Sequence, residues 1–252
     1  MAIKYSFRTC KILLSDQRYF ASVRDGEYRD KEGNYVPWYT YPAIEALKNW
    51  DLSGKRVFEY SSGYSTLFWA ARAREVVSVE HNPVWYERIS KLAPENAQII
   101  FAPITQREGD YNATPETREQ LKRYSEAIRD FGTFDAIILD GYEGFSLRYQ
   151  CARIARPQLS ANGLIILDNS DWLPVTAGFL RQSGLIEVDL SGLKPGRDYS
   201  QTTSFFFARE FDFQPDGNRQ PIAPVGGRID NWETGLEEDS TEIWTARTTS
   251  PD

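Results

Sequence analysis

Cysteine and histidine are nearly absent from this chain. Among 252 residues the cysteines are Cys10 and Cys151, which excludes a disulfide framework and a multi-cysteine metal site. His81 is the sole histidine, so histidine-rich metal sites are excluded, as is a serine–histidine–aspartate triad built on any other base. No apolar run approaches the roughly 20 residues of a membrane span. The N-terminal stretch has no signal-peptide core, since KILL is too short, and the expectation is a soluble cytoplasmic protein. Basic residues are the minority charge, 29 Lys and Arg against 36 Asp and Glu, for a net −7. A surface that lives on nucleic-acid phosphates usually has the opposite sign, so neither a nucleic-acid nor a membrane partner is expected. At 41% hydrophobic and 26% charged, the composition rules out disorder and collagen, and the length buries a core as one large α/β domain or two small ones.

What is present is a rhythm of short apolar runs and amphipathic segments. Residues 1–36 are polar and aromatic without a clean period, and RDGEYRDKEGNY within them reads as turns. A helix opens at Pro42, carries Ile44 and Leu47 on one stripe, and breaks at Gly54. Strands KRVFEY, EVVSVE, AQIIFAPI, FDAIILDG and LIILDNSD then alternate with helices STLFWAARAR, NPVWYERISKLAP, TPETREQLKRYSEAIRDF, FSLRYQCARIARPQL and VTAGFLRQSG. Asn82 and Thr114 are the expected N-caps, each followed by proline; Ala161–Gly163 reads as a turn; Gly184 sits at a helix C-cap. Strands separated by helices imply parallel pairing with helices on both faces. Continuous rather than alternating apolar runs suit strands buried on both faces. LIEVDLSGL and TTSFFFARE have only KPGRDYSQ between them, too little for a helical crossover, so they should form an antiparallel hairpin. From Phe211 onward the chain is rich in proline, glycine and acids without a period, and is expected to be an extended or disordered tail with no part in the core.

In open α/β sheets ligands bind beyond the carboxyl ends of the strands. The first strand runs into Glu59-Tyr60-Ser61-Ser62-Gly63-Tyr64-Ser65-Thr66, where small residues let backbone approach a ligand. Glu80 ends the second strand, where an acid accepts hydrogen bonds from both ribose hydroxyls. A dinucleotide loop would need three glycines and only Gly63 is there, which argues against a pyrophosphate.

Together, VFEYSSGYST, VVSVEHNP, FDAIILDG and GLIILDNSD resemble the class I S-adenosylmethionine-dependent methyltransferases over roughly residues 37–210. The resemblance implies an α/β, Rossmann-like doubly wound, mostly parallel seven-stranded sheet with a C-terminal antiparallel hairpin. Residues 1–36 would be a cover segment and 211–252 the tail. It implies S-adenosyl-L-methionine as cofactor, with Glu59, Ser61, Ser62 and Gly63 around its methionine part and Ser65 on its carboxylate. Glu80 would hold the ribose, His81 would lie near the adenine, and Asp140 beside the transferable methyl. Ser61 stands where the family usually has its first glycine, so the loop should there avoid a left-handed conformation.

A second set lies at the ends of the fourth and fifth strands: Asp140, then Asp168 and Asn169. In the family's usual order these strands are neighbours, about 4.8 Å apart, so the side chains converge. Two carboxylates and an amide oxygen suit Mg²⁺, with positions left for water and substrate. The trio resembles the metal-dependent catechol-type O-methyltransferases, which usually carry a lysine base three residues after the first Asp; here that position is Glu143. In the other reading Asp140 contacts cofactor or acceptor while Asp168 and Asn169 shape a turn. The stretch from Asp140-Gly141 through Arg148 to Cys151 also resembles a group of class I methyltransferases for which metal dependence is not implied. Without the ion, Glu143 and Asp171 are the nearest candidate bases.

Trp38, Tyr39 and Tyr41 precede the first helix, where this fold often covers the methyl side of the cofactor; they and Trp172 are candidates for an acceptor wall, with core packing as the alternative. The expected reaction is in-line displacement, an acceptor oxygen or nitrogen attacking the sulfonium methyl, with alignment and water exclusion as the protein's main contribution. The acidic balance favours a small-molecule or saccharide acceptor. The rivals are a non-catalytic cofactor-binding protein and another nucleotide-dependent Rossmann enzyme such as an NAD(P) oxidoreductase. The sequence leaves the oligomeric state open.

Overall fold

The computed structural model describes residues 7, 9–105, 113–142, 144–217 and 221–226. Helices Tyr19–Asp25 (α1) and Tyr41–Leu47 (α2) precede the first strand. Strand Arg56–Tyr60 (β1) is followed by helix Tyr64–Ala70 (α3), strand Glu75–Glu80 (β2), helix Pro83–Leu92 (α4) and strand Ala97–Phe101 (β3). Helix Pro115–Glu126 (α5), strand Phe134–Leu139 (β4), helix Leu147–Ala155 (α6), strand Leu159–Asp168 (β5) and helix Pro174–Gln182 (α7) continue the alternation. Strands Ile186–Leu193 (β6) and Ser200–Phe207 (β7) complete a seven-stranded sheet of order β3-β2-β1-β4-β5-β7-β6. The first five strands pair in parallel, and β7 runs antiparallel to both β5 and β6. This is the Rossmann-like, mostly parallel sheet with an antiparallel end that the sequence predicts.

The apolar runs behave as buried parallel strands must. All but the first residue of β1 and of β2, and the last six residues of β5, are buried. One core layer holds Leu121 and Tyr124 of α5, Cys151 and Ala152 of α6 and Leu180 of α7. The opposite layer holds Ile44 and Leu47 of α2 and Phe68 and Trp69 of α3. The predicted caps form: Asn82 Oδ1 accepts from Val84 N at 2.9 Å, and Thr114 Oγ1 from Thr117 N at 3.1 Å. No helix among the described residues is long and apolar enough to cross a membrane.

Two local expectations differ. Residues 161–163, expected as a turn, lie inside β5, which starts at Leu159. There β5 passes so near β4 that a Cβ on Gly163 would sit 2.7 Å from the Asp135 carbonyl oxygen, so glycine serves close strand approach rather than reversal. Beyond residue 210, Phe211 and Phe213 set their rings against Trp50 at 5.3 and 6.2 Å, and Phe213 is buried in the core. The two phenylalanines stand only two residues apart, too short an alternation for the hydrophobic pattern to mark as an element.

The segment before β1 spans the carboxyl end of the sheet. On one side Tyr35 stacks on Tyr64 of α3 at 5.0 Å, and Glu27 accepts from Arg88 of α4 at 3.3 Å. On the other, Trp38 Nε1 donates to the Pro195 carbonyl at 2.8 Å and the Tyr19 hydroxyl to the Arg197 carbonyl at 2.6 Å. Tyr28 and Trp38 stack between these anchors, 5.6 Å apart. The result is a roof tied to α3 and α4 at one edge and to the β6–β7 loop at the other.

Candidate active site

Under this roof lies a cavity of about 640 Å³. The β1 end contributes Ser61 to Ser65, the β2 end Glu80 and His81, the β4 end Asp140 to Tyr142, and the β5 end Asn169. Tyr28 and Trp38 close it from the roof, with Arg148, Trp85 and Ile104 on the walls. Its size suits a small ligand.

The serine loop is built around Glu80. The buried carboxylate accepts from Ser62 N at 2.6 Å, Ser62 Oγ at 3.1 Å and Ser61 Oγ at 3.3 Å through Oε2, and from Asn82 N at 2.6 Å through Oε1. Ser61 does adopt the left-handed backbone it was expected to avoid, at φ 75°. It is held there by its own N–H on the Val79 carbonyl, 2.8 Å, and by Glu80. The space for its side chain comes from across the loop: a Cβ on Gly141 would lie 2.3 Å from the Ser61 Cβ.

Glu59 is not part of the cavity surface. It is fully buried beneath the loop, where Oε2 accepts from Thr66 Oγ1 and, at 3.2 Å, from Ser78 Oγ. Thr66 Oγ1 in turn accepts from Gly63 N at 3.0 Å, so Glu59 supports the loop through the start of α3. Burial pushes its carboxyl up to about 8; the hydroxyls of Ser65, Thr66 and Ser78 act against this and the Asp140 charge adds to it. Burial thus favours the protonated acid near neutral pH. Its other oxygen, Oε1, is buried with no partner among the described residues.

His81 turns its ring edge-on to Tyr142 at 5.3 Å, and its Nδ1 lies 3.1 Å from Glu80 Oε1. Asp140 presents its carboxylate to the cavity, with Oδ1 accepting from Gly141 N at 2.7 Å and from Arg148 Nη2 at 3.2 Å.

The expected ion site is overturned by its surroundings. Asp140, Asp168 and Asn169 do come from adjacent strand ends, but a protein cation already engages an oxygen of each. Lys194 Nζ is 2.5 Å from Asp168 Oδ2, with both side chains 1% exposed, and Thr203 Oγ1 donates to Oδ1 at 2.8 Å. Arg148 donates to Asn169 Oδ1 at 3.2 Å and to the Asp168 carbonyl at 2.7 Å, besides its bond to Asp140. A divalent cation would have to displace two buried positive charges, so Mg²⁺ does not fit this trio. Burial pushes the Asp168 carboxyl up to about 6; Lys194 and Arg148 pull it down and Asp140 pushes it further up.

Other candidates also fall away from the cavity. Tyr41 directs its hydroxyl toward the Gln17 carbonyl at 3.5 Å, because α2 turns that face to the N-terminal segment. Tyr39 is fully buried in the core, 3.5 Å from Trp69 Nε1. Asp171 is exposed and accepts from Thr202 N at 3.0 Å, bracing the start of β7. Trp172 is 51% exposed and stacks on Tyr199. Glu143 lies outside the described residues. Of the aromatic cluster, Trp38 alone reaches the cavity.

Sequence reasoning passed over Arg148 and Lys194. Arg148 stands in the quoted Asp140–Cys151 stretch, and an arginine two helical turns after a strand-end acid is a usable signal for a clamp. Lys194, in a loop of unremarkable composition, gave none.

No family model matches the chain, and no curated protein matches it. Solved structures do. The precorrin-6y C5,15-methyltransferase of Geobacter metallireducens is 14% identical, with 66% of this chain and 84% of that one covered at a TM-score of 0.44. A TehB-like SAM-dependent methyltransferase from Corynebacterium glutamicum is 13% identical, with 80% and 100% covered at 0.42. An rRNA methylase from Streptococcus thermophilus is 10% identical, with 66% and 96% covered at 0.43. Such likeness is silent about substrate. The expectation that the acidic balance excludes nucleic acid does not stand, because the balance is a property of the whole chain. Net charge is a sum over the whole surface and leaves the local field at a site undetermined.

Proposed function

We propose that this chain is an S-adenosylmethionine-dependent methyltransferase acting on an oxygen or nitrogen acceptor. The observation that carries this reading is the placement of Glu80, at the end of β2 and on the cavity wall, with the Ser61–Ser65 loop of β1 beside it and Asp140 of β4 beyond. That order supplies a carboxylate for a ribose diol, a small-residue loop for the amino-acid part, and a polar strand end for the reacting group.

The residues fit such a ligand. The Tyr64 hydroxyl on the cavity wall is buried with no hydrogen-bond partner among the described residues, which leaves it open to a ligand. Glu80 Oε1 and the Ser61 and Ser62 hydroxyls would hold the nucleoside side; Ser65 would hold the amino-acid side. When bound, the cofactor supplies an electrophilic methyl on a sulfonium. The chain's own contribution is orientation, with Tyr28 and Trp38 excluding water from above and Arg148 fixing the β4 and β5 ends at one distance.

Calorimetry with S-adenosylmethionine, S-adenosylhomocysteine and NAD(P) tests the reading. Binding of the first two and not of NAD(P) is expected, with Glu80→Ala weakening it by about 1–3 kcal/mol through loss of a charged acceptor. Preference for NAD(P), or an unchanged dissociation constant in folded Glu80→Ala, contradicts it.

A further inference from the structure

The acceptor end of the cavity has a distinct polarity. Asp140 Oδ1 is committed to Gly141 N and Arg148, while Oδ2 of the same carboxylate, 22% exposed as a side chain, takes no hydrogen bond from a described residue. Asn169, on the next strand end, has its Oδ1 engaged by Arg148 Nη1 at 3.2 Å, which turns its amide NH₂ away from the guanidinium. Among the described residues that line the cavity, Arg148 is the one lysine or arginine. It is already spent on Asp140, Asn169 and the carbonyls of Gly141 and Asp168. Lys194 is spent on Asp168. An acceptor that must become an oxyanion would meet a carboxylate and, among the described residues, no uncommitted cation, which disfavours its ionised form. An acceptor that gains positive charge as it reacts would meet the field that stabilises that change.

We infer that the methylated atom is a nitrogen bearing at least one hydrogen, held at Asp140 Oδ2 beside the Asn169 amide. The inference rests on the cofactor reading above. The neutral nitrogen lone pair forms the new N–C bond to the methyl as the S–C bond breaks. The S–C electron pair stays on sulfur, giving neutral S-adenosylhomocysteine. The nitrogen becomes positively charged, and its proton passes to Asp140 Oδ2 and then to solvent. The hydroxyl, amide and carbonyl groups around Asp140 need supply no further base.

The test uses sinefungin, in which an amine-bearing carbon replaces the methylated sulfonium and so places an ammonium at the transfer point. The full chain should bind sinefungin at least about tenfold tighter than S-adenosylhomocysteine by calorimetry. Asp140→Asn, which keeps Oδ1 as acceptor for Gly141 N and Arg148, should abolish that ratio. In a second arm, with S-adenosylhomocysteine saturating, benzylamine should bind at least about tenfold tighter than phenol. Equal sinefungin and S-adenosylhomocysteine affinity, a ratio that persists in Asp140→Asn, or benzylamine binding no better than phenol or not at all at 10 mM, to an order of magnitude, overturns the inference. The wild-type comparison decides by itself if Asp140→Asn fails to fold. Absence of S-adenosylhomocysteine binding to wild type is a separate outcome: it removes the cofactor reading and the inference with it.

Discussion

Ser61 and Gly141 face each other across the ends of β1 and β4 at a distance that leaves no room for a second side chain: a Cβ at 141 would stand 2.3 Å from the Cβ of Ser61. Both residues have positive φ, 75° and 83°. The serine loop therefore owes its course to a glycine far away in the sequence. Gly141→Ala must move the loop and also strain its own backbone. The expected cost is about 1–3 kcal/mol in stability, read by denaturant melts, with S-adenosylmethionine binding weakened more than stability alone accounts for. Wild-type affinity in this variant would show that the contact is yielding.

Glu59 makes stability depend on pH. Its folded-state carboxyl is raised from 4.5 to about 8, so the folded chain holds a proton that the unfolded chain releases. The stabilisation is fully present below pH 4.5 and is lost as pH rises toward 8. Between about pH 6.5 and 8 the slope should be on the order of 1 kcal/mol per pH unit. Asp168 has the same sign but acts below about 6, outside that window. Glu59→Gln, neutral throughout, should flatten the slope in a series of urea melts; an unaltered slope would assign the effect to another group.

Lys194 and Asp168 form a buried pair, and removing one partner leaves the other's charge without compensation. Lys194→Met should cost about 3–5 kcal/mol. Adding Asp168→Asn should restore much of that loss, since neither charge then remains. A double variant as unstable as the single one would mean that Asp168 serves Thr203 and the end of β5 more than it serves the lysine.

Phe213 extends the core past the expected boundary. It is 7% exposed, packs 4.6 Å from Phe211 and has Lys55 Nζ 4.3 Å over its ring. Phe213→Ala should cost about 3–5 kcal/mol. Thermal unfolding of this variant, and of a chain ended at 210, measures it; a melting temperature unchanged in both would mean that Trp50 is adequately covered without the tail.

What the sequence determined by itself is the order of strands and helices, the proline-led caps at Asn82 and Thr114, and the arrival of Glu80 and Asp140 at strand ends. These follow from local rules: an apolar run of strand length, a capping side chain two or three residues from its N–H partners, a turn where the run stops. Tertiary structure alone decided which groups meet there. Insertion of β7 between β5 and β6 carries the Lys194 loop over Asp168, and the helix after β4 returns Arg148 across Asp140 and Asn169, so a trio with the composition of an ion site becomes a pair of protein salt bridges. The same holds for Glu59, which is sealed beneath the loop while Glu80 borders the cavity. Charge partners and burial depend on which strand ends lie side by side, and that adjacency joins residues whose neighbours in sequence carry no trace of it.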